Sequence, residues 1–172
     1  MNRVGNVAMK GFSIVELLVV IAIIGILAAI VTVGYVNIQN RSYDSAVQSD
    51  LLSNMKTLNR YYADNSTYPS STQLASYSEK LKFIASNYQL TSSSAIYCRS
   101  STNSAAALVG KSKSGKSFVV TSSSSSATEA TFAFSGSFST ICPAIGAEFA
   151  TSPNAFWLHS SVSGWVSYVN AN

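Results

Sequence analysis

The sequence is short of the side chains that carry chemistry. Its 172 residues include eleven basic and seven acidic groups, and His159 is the only histidine. A Ser-His-Asp triad or a histidine-rich metal site would rest on that single ring. Beyond Lys82 the only acids are Glu129 and Glu148, and Thr151 to Asn172 holds none. Calcium needs about six to eight oxygens, several of them carboxylate, so no calcium site is expected in that tail. The reading from these shortages is no enzyme, no catalytic residue, no metal and no cofactor. Charge of one sign is scarce as well. The formal charge is +4, and without Arg3 and Lys10 nine basic residues face seven acidic ones, about +2. That is not the clustered basic face of a nucleic-acid binder.

Hydrophobicity is plentiful, at 47% of residues, and much of it sits in one place. From Leu17 to Val31 there is no polar side chain, and between Phe12 and Val36 only Ser13, Glu16 and Thr32 interrupt. Three readings compete for this stretch: a cleaved secretory signal, an uncleaved transmembrane anchor, and a leader removed before an apolar segment that stays in the product. The 25 residues from Phe12 to Val36 make about 37 Å of helix, enough to cross a bilayer core. A signal core is shorter, about 7 to 15 residues. A carboxylate within the run, Glu16, costs a few kcal/mol on insertion and is expected only with a purpose and a partner. Past Val36 the chain continues with a helical pattern instead of relaxing into a loop. The third reading alone accounts for all of this. With Arg3 and Lys10 inside, everything beyond about Val36 faces outward. Two cysteines in an exported domain, Cys98 and Cys142, most often pair, the alternative being two buried thiols.

The residues Lys10-Gly11-Phe12-Ser13-Ile14-Val15-Glu16, with the apolar stretch Leu17 to Ile30 behind them, closely resemble the N-terminal signature of type IV pilins and type II secretion pseudopilins. The resemblance implies that a prepilin peptidase cuts between Gly11 and Phe12, discarding residues 1–11, and methylates the new amine of Phe12. Glu16 becomes the fifth residue of the product, one helical turn from the Phe12 ammonium. In a bundle of apolar helices, the ammonium of one subunit neutralises the carboxylate of its neighbour, which sets register more than it adds stability. Many members carry a proline partway down this helix. Here Ile30 to Gly34 has none, and Gly25 and Gly34 are the local weak points.

Residues 12–36 then form the membrane or filament-core half of one helix and residues 37–64 its amphipathic half. Tyr43, Val47, Leu51, Met55, Leu58 and Tyr62 make a single apolar stripe, opposite Ser42, Asp44, Ser49, Ser53, Asn54, Lys56 and Arg60. Asn65, Ser66 and Pro69 end the helix at about Asp64, giving roughly 53 residues or 80 Å. Residues 65–172 read as a head: a short helix within Ser71 to Phe83, then strands. Ala105–Val109 and Ser117–Thr121 flank a turn at Lys111–Lys116, and further strands are expected at Ala130–Phe134 and Gly164–Val169. The fold class is α+β and type IV pilin-like, a long N-terminal helix packed on an antiparallel sheet of about four strands. Ser122 to Ser126 is a polar turn.

The functional expectation is a pilus subunit that polymerises with other pilin subunits. Its partners are the prepilin peptidase, the assembly platform and minor pilins. It begins as a single-pass membrane precursor with the head outside and ends in an extracellular fibre serving motility, adhesion or DNA uptake. The close alternative is a pseudopilin of a secretion or competence system, and a more remote one is a tethered enzyme or binding module. Lys111, Lys113, Lys116 and Arg99 could meet DNA, with Phe118 and Trp165 stacking on bases. The plainer reading is solvated turn lysines and core aromatics.

Overall fold

The computed structural model describes residues 11–91, 93–134, 137–149, 155–160, 163–167 and 169–171. Its first element, helix α1, covers Ile14–Asn65, 52 residues, and the chain divides between Gln39 and Asn40 into two units.

In the first unit the helix is apolar on every side. Leu17, Leu18, Val19, Val20 and Ile21 are consecutive, so they point around the whole circumference, and all are exposed. A water-facing helix of a globular protein keeps one polar face, and this one has none. By length and composition it can cross a membrane.

In the second unit the same helix buries one stripe. Val47, Leu51, Met55 and Leu58 are almost wholly buried, at the three- and four-residue spacing of a helix face. They meet the inner face of a six-stranded antiparallel sheet, which follows the short helix α2 (Ser71–Ser76) and strand β1 (Leu81–Phe83). The sheet's strands are β2 (Ala95–Arg99), β3 (Ala106–Lys111), β4 (Ser117–Thr121), β5 (Thr128–Glu129), β6 (Phe156–Ser160) and β7 (Gly164–Trp165), in the spatial order β5-β4-β3-β2-β6-β7. Alternate residues serve opposite faces. Tyr97 and Leu108 join the α1 stripe, whereas Ile96, Cys98, Ala107 and Val109 pack under Ile141 and Cys142 of helix α3 (Phe138–Ile145). At Gly110 on β3 the sheet lies close to both Tyr88 and the Val47–Leu51 stripe of α1. A Cβ there would lie 3.0 Å from the Tyr88 ring and 3.2 Å from Val47, so a side chain at this position requires those neighbours to shift by a few tenths of an ångström.

The expected α+β plan holds, with the hairpin β3–β4 where the sequence placed it, but four details differ. The antiparallel sheet has six strands, because β2 and β6 escaped a reading based on alternation. Ala130–Phe134 is not a strand. Glu129 pairs with Phe118 and the Ala130 amide reaches Ser117 at 2.8 Å, so the next residue would face the turn and no ladder partner remains. Phe132 and Phe134 instead pack against the cluster on the outer face. Gly164–Val169 is broken after Trp165. A turn, with the Val169 amide on the Val166 carbonyl at 3.0 Å, sends the chain into β8 (Val169–Ala171), which pairs in parallel with β1 away from the main sheet. Finally Asn54, assigned to the polar face, is 2% exposed.

Candidate functional site

The N-terminal element starts with three non-helical residues, Gly11, Phe12 and Ser13, and turns helical at Ile14. The first helical bond runs from the Leu17 amide to the Ser13 carbonyl at 3.2 Å. The Ser13 amide, one of the donors a helix start leaves without an intrahelical acceptor, donates to Glu16 Oε2 at 3.2 Å. That is the reciprocal half of a capping box, an acid three residues past the cap. Glu16 also lies in the first turn, where the unpaired amides favour an anion. Phe12 is 76% exposed. A Cβ on Gly11 would meet nothing within 4 Å, so packing within the chain does not demand glycine there. Arg3, Lys10 and the rest of residues 1–10 lie outside the described residues.

The described residues from Phe12 to Ile38 present Phe, Ile, Leu and Val side chains to solvent, with Glu16 as the single charge. Near the end of the run Tyr35 is exposed, and its hydroxyl accepts from Gln39 Nε2 at 3.1 Å.

In the head, Cys98 of β2 and Cys142 of α3 are bonded, with Cα atoms 5.7 Å apart, and both are buried. The disulfide ties α3 to the outer face of the sheet. His159 on β6 is buried, with Nδ1 2.8 Å from Ser94 Oγ and its ring 4.9 Å from that of Trp165. Burial lowers its pKa from the usual 6.5. This serine–histidine pair is itself inaccessible, Ser94 being fully buried. Two surface depressions hold about 270 and 420 Å³. Neither is lined by a histidine or cysteine, and Glu129, the only acid in either lining, is ion-paired to Lys116 at 2.7 Å. Among the described residues no three His, Cys, Asp or Glu side chains gather where a metal would bind.

The residues considered for DNA do not form one surface. Arg99 is 7% exposed and donates through Nη1 to the Tyr68 carbonyl at 2.8 Å, inside the head. Phe118 is a core residue, and Trp165 lies in ring contact with Phe83, Tyr88 and His159. The lysines do remain at the surface, but they are not merely solvated. Lys113 Nζ sits 5.3 Å from the centre of the Tyr43 ring, and the neighbouring Ser114 hydroxyl donates to the Asp44 carboxylate. No periodicity in the sequence announces contacts that span some seventy residues.

Comparison with known proteins agrees with the N-terminal element. Residues 8–32 match the family described as the prokaryotic N-terminal methylation motif. The chain is 39% identical over 92 residues to the type IV wide pilus major component PilA4 of Thermus thermophilus, covering 52% of this chain and 70% of that protein. It is 36% identical over 64 residues to the type II secretion system core protein G of Klebsiella pneumoniae, covering 37% of this chain and 46% of that one. The core protein G of Klebsiella michiganensis matches at the same identity, with 45% of its length covered. The chain thus spans less than half of the secretion proteins it resembles. No solved structure matches the chain significantly.

Proposed function

This chain belongs to the family of type IV pilins and type II secretion pseudopilins, and on that premise we propose that it is a structural subunit of a type IV pilus. The observation that carries the proposal is the helix from Ile14 onward, apolar around its full circumference and interrupted by a single carboxylate, Glu16, in its first turn. Such a surface is stable only in lipid or among its own kind. A peptidase removes residues 1–11 by cutting between Gly11 and Phe12, which lie outside the helix and are exposed. The new Phe12 amine is methylated and keeps its positive charge. It starts one residue before the Ser13 amide that Glu16 already accepts, so this carboxylate sits where a neighbouring subunit's ammonium can be neutralised. Before assembly the precursor is held in the cell membrane by residues 12–36, with residues 37–64 and the head at 65–172 outside. Afterwards it is part of a fibre on the cell surface, built with further copies, minor pilins and an assembly platform.

The pseudopilin reading has support of its own in the similarity to core protein G. The match to the pilus component is longer and covers 70% of that relative, which favours the pilus. Two measurements test the proposal. Mass spectrometry of the mature protein should find an N-methylated Phe12; an N-terminus at Met1 or near Tyr35 refutes the processing. Electron microscopy of sheared surface material should show fibres in wild type and a sharp reduction in Glu16→Ala, with the variant still in the membrane fraction. Normal fibres from that variant would refute the charge pairing.

A further inference from the structure

Polar side chains bound the apolar part of α1 at both ends. At its start Glu16 stands in the first turn, with Oε2 on the Ser13 amide. From Leu17 to Val31 the sequence then has no polar side chain. At the far end Tyr35, Asn37 and Gln39 alternate with Val36 and Ile38, and all three are exposed. Tyr35 and Gln39 are four residues apart, on one side of the helix, and Gln39 Nε2 donates to the Tyr35 hydroxyl at 3.1 Å. That bond leaves the hydroxyl its own proton to donate to an outside acceptor. The nineteen-residue step from Glu16 to Tyr35 makes about 29 Å of helix at about 1.5 Å per residue. The hydrocarbon core of a bilayer is about 30 Å thick.

Packing among copies of the helix sets no such length, whereas a bilayer does. We propose, resting on the membrane-inserted precursor above, that Tyr35, Asn37 and Gln39 anchor the helix in the outer phospholipid headgroup layer and thereby hold Glu16 at the inner headgroup edge. Every group involved stands on one unbroken helix. The Tyr35 hydroxyl donates to a lipid ester or phosphate oxygen while its ring lies against the acyl boundary, as aromatic residues do at membrane–water interfaces. At the other end a carboxylate in hydrocarbon costs more than thinning the bilayer by an ångström or two, so Glu16 resists sinking deeper. The carboxylate therefore stays hydrated for as long as the subunit is a precursor. The Gly11–Phe12 bond precedes Glu16 and lies before the helix begins, so it sits still further toward the water, within reach of a peptidase acting from that side. Transfer into a fibre is the step that takes Glu16 out of water.

The test uses the full-length precursor in nanodiscs of phosphatidylcholine with oleoyl chains or with longer erucoyl chains. Accessible carboxylates are coupled to glycine ethyl ester by a water-soluble carbodiimide, and the rates are read by mass spectrometry. In oleoyl discs Glu16 should label within about threefold of the exposed acids Asp64 and Glu148. In the thicker discs it should label roughly tenfold more slowly, because the outer anchor does not yield. In the triple variant Tyr35→Leu, Asn37→Leu, Gln39→Leu the outer end can sink, and Glu16 should regain its oleoyl rate in the thick discs. A Glu16 that fails to label in either lipid overturns the inner-edge placement. Equal labelling of wild type in thin and thick discs, or a triple variant that behaves as wild type, overturns the anchor. Failure of the chain to co-purify with either disc refutes the membrane reading itself, which separates that failure from these.

Discussion

Replacing Asn54 with alanine should destabilise the head more than any other single change of a residue that reads as solvent-facing. The Asn54 side chain acts as a strand fragment. Its Nδ2 donates to the Lys82 carbonyl at 2.6 Å and its Oδ1 accepts the Lys82 amide at 2.7 Å. One turn earlier on α1, Asp50 Oδ2 accepts the Ile84 amide at 2.9 Å. These side chains satisfy one edge of β1 while β8 pairs with the other. Alanine removes two hydrogen bonds worth about 1 kcal/mol each and strands two partly buried backbone groups, for a total of roughly 2–4 kcal/mol. For a head of this size that lowers the melting temperature by about 10 °C. The assay is thermal unfolding of the full chain in detergent, followed by near-ultraviolet circular dichroism, which reports the tyrosines and tryptophans of the head. Lys56→Ala, on the exposed face of the same helix, should move the transition by no more than about 2 °C. If Asn54→Ala melts within that same margin, the clasp on β1 contributes nothing and the reasoning fails.

Removing the disulfide as the pair Cys98→Ser and Cys142→Ser opens a loop whose ends are 44 residues apart. The head should lose about 4 kcal/mol in the chain-entropy account, read as the denaturant midpoint under non-reducing conditions; a loss under about 1 kcal/mol refutes a stabilising role. His159 provides a pH signature. Its folded pKa lies below 6.5 because burial disfavours the charged ring, so the folded state binds fewer protons than the unfolded one. The stability it supports is complete above about pH 6.5 and falls as the pH drops from there through the lowered value. Asp50 has a carboxyl pKa raised by burial, against the opposing bond from the Ile84 amide, and it works in the other direction as acid is added. Urea midpoints at pH 8 and pH 5 should therefore be compared between wild type and His159→Gln. The variant should lose less stability on acidification, and an identical loss in both refutes the assignment.

The parts of the fold that were legible in the sequence are those where one physical demand dominates. The run from Phe12 to Val36 is apolar at nearly every position, and no other element can be made of it. The stripe from Val47 to Leu58 faces a core on one side only, so its spacing shows. β2 was hidden for the opposite reason. Its five residues are all buried, Tyr97 against α1 and Ile96 and Cys98 under α3, so no polar residue marks a solvent face. Asn54 misled because polarity counts as exposure only when the partner is water. Here the partner is the backbone of a residue 28 positions on. At the candidate site, Gly11, Phe12 and Glu16 were legible as a local motif. The contact of Glu16 with the Ser13 amide is equally local and follows the capping spacing. The strapping of the lysine turn to Tyr43 and Asp44 joins residues 70 apart, which only the folded sheet brings together.

The two units answer to different solvents, and the magnitudes decide which of them governs assembly. Among the described residues, seventeen large apolar side chains between Phe12 and Ile38 are exposed. Burying each one contributes about 1.5–3 kcal/mol, so the helix gains tens of kcal/mol by entering lipid or a bundle of its own copies. The head, by contrast, has the marginal stability of any domain, about 5–15 kcal/mol. Residence in membrane or fibre is therefore set by the helix almost regardless of the head's surface. Apolar packing of that size has no preferred register, because Leu, Ile and Val at adjacent turns are nearly equivalent. Under the proposed pairing of Glu16 with a neighbour's Phe12 ammonium, one carboxylate in the first turn breaks the degeneracy, since sliding that neighbour by a single turn would leave a charge unpaired at a cost of about 3–5 kcal/mol. On that proposal Glu16 contributes little to how strongly subunits hold together and much to where they hold.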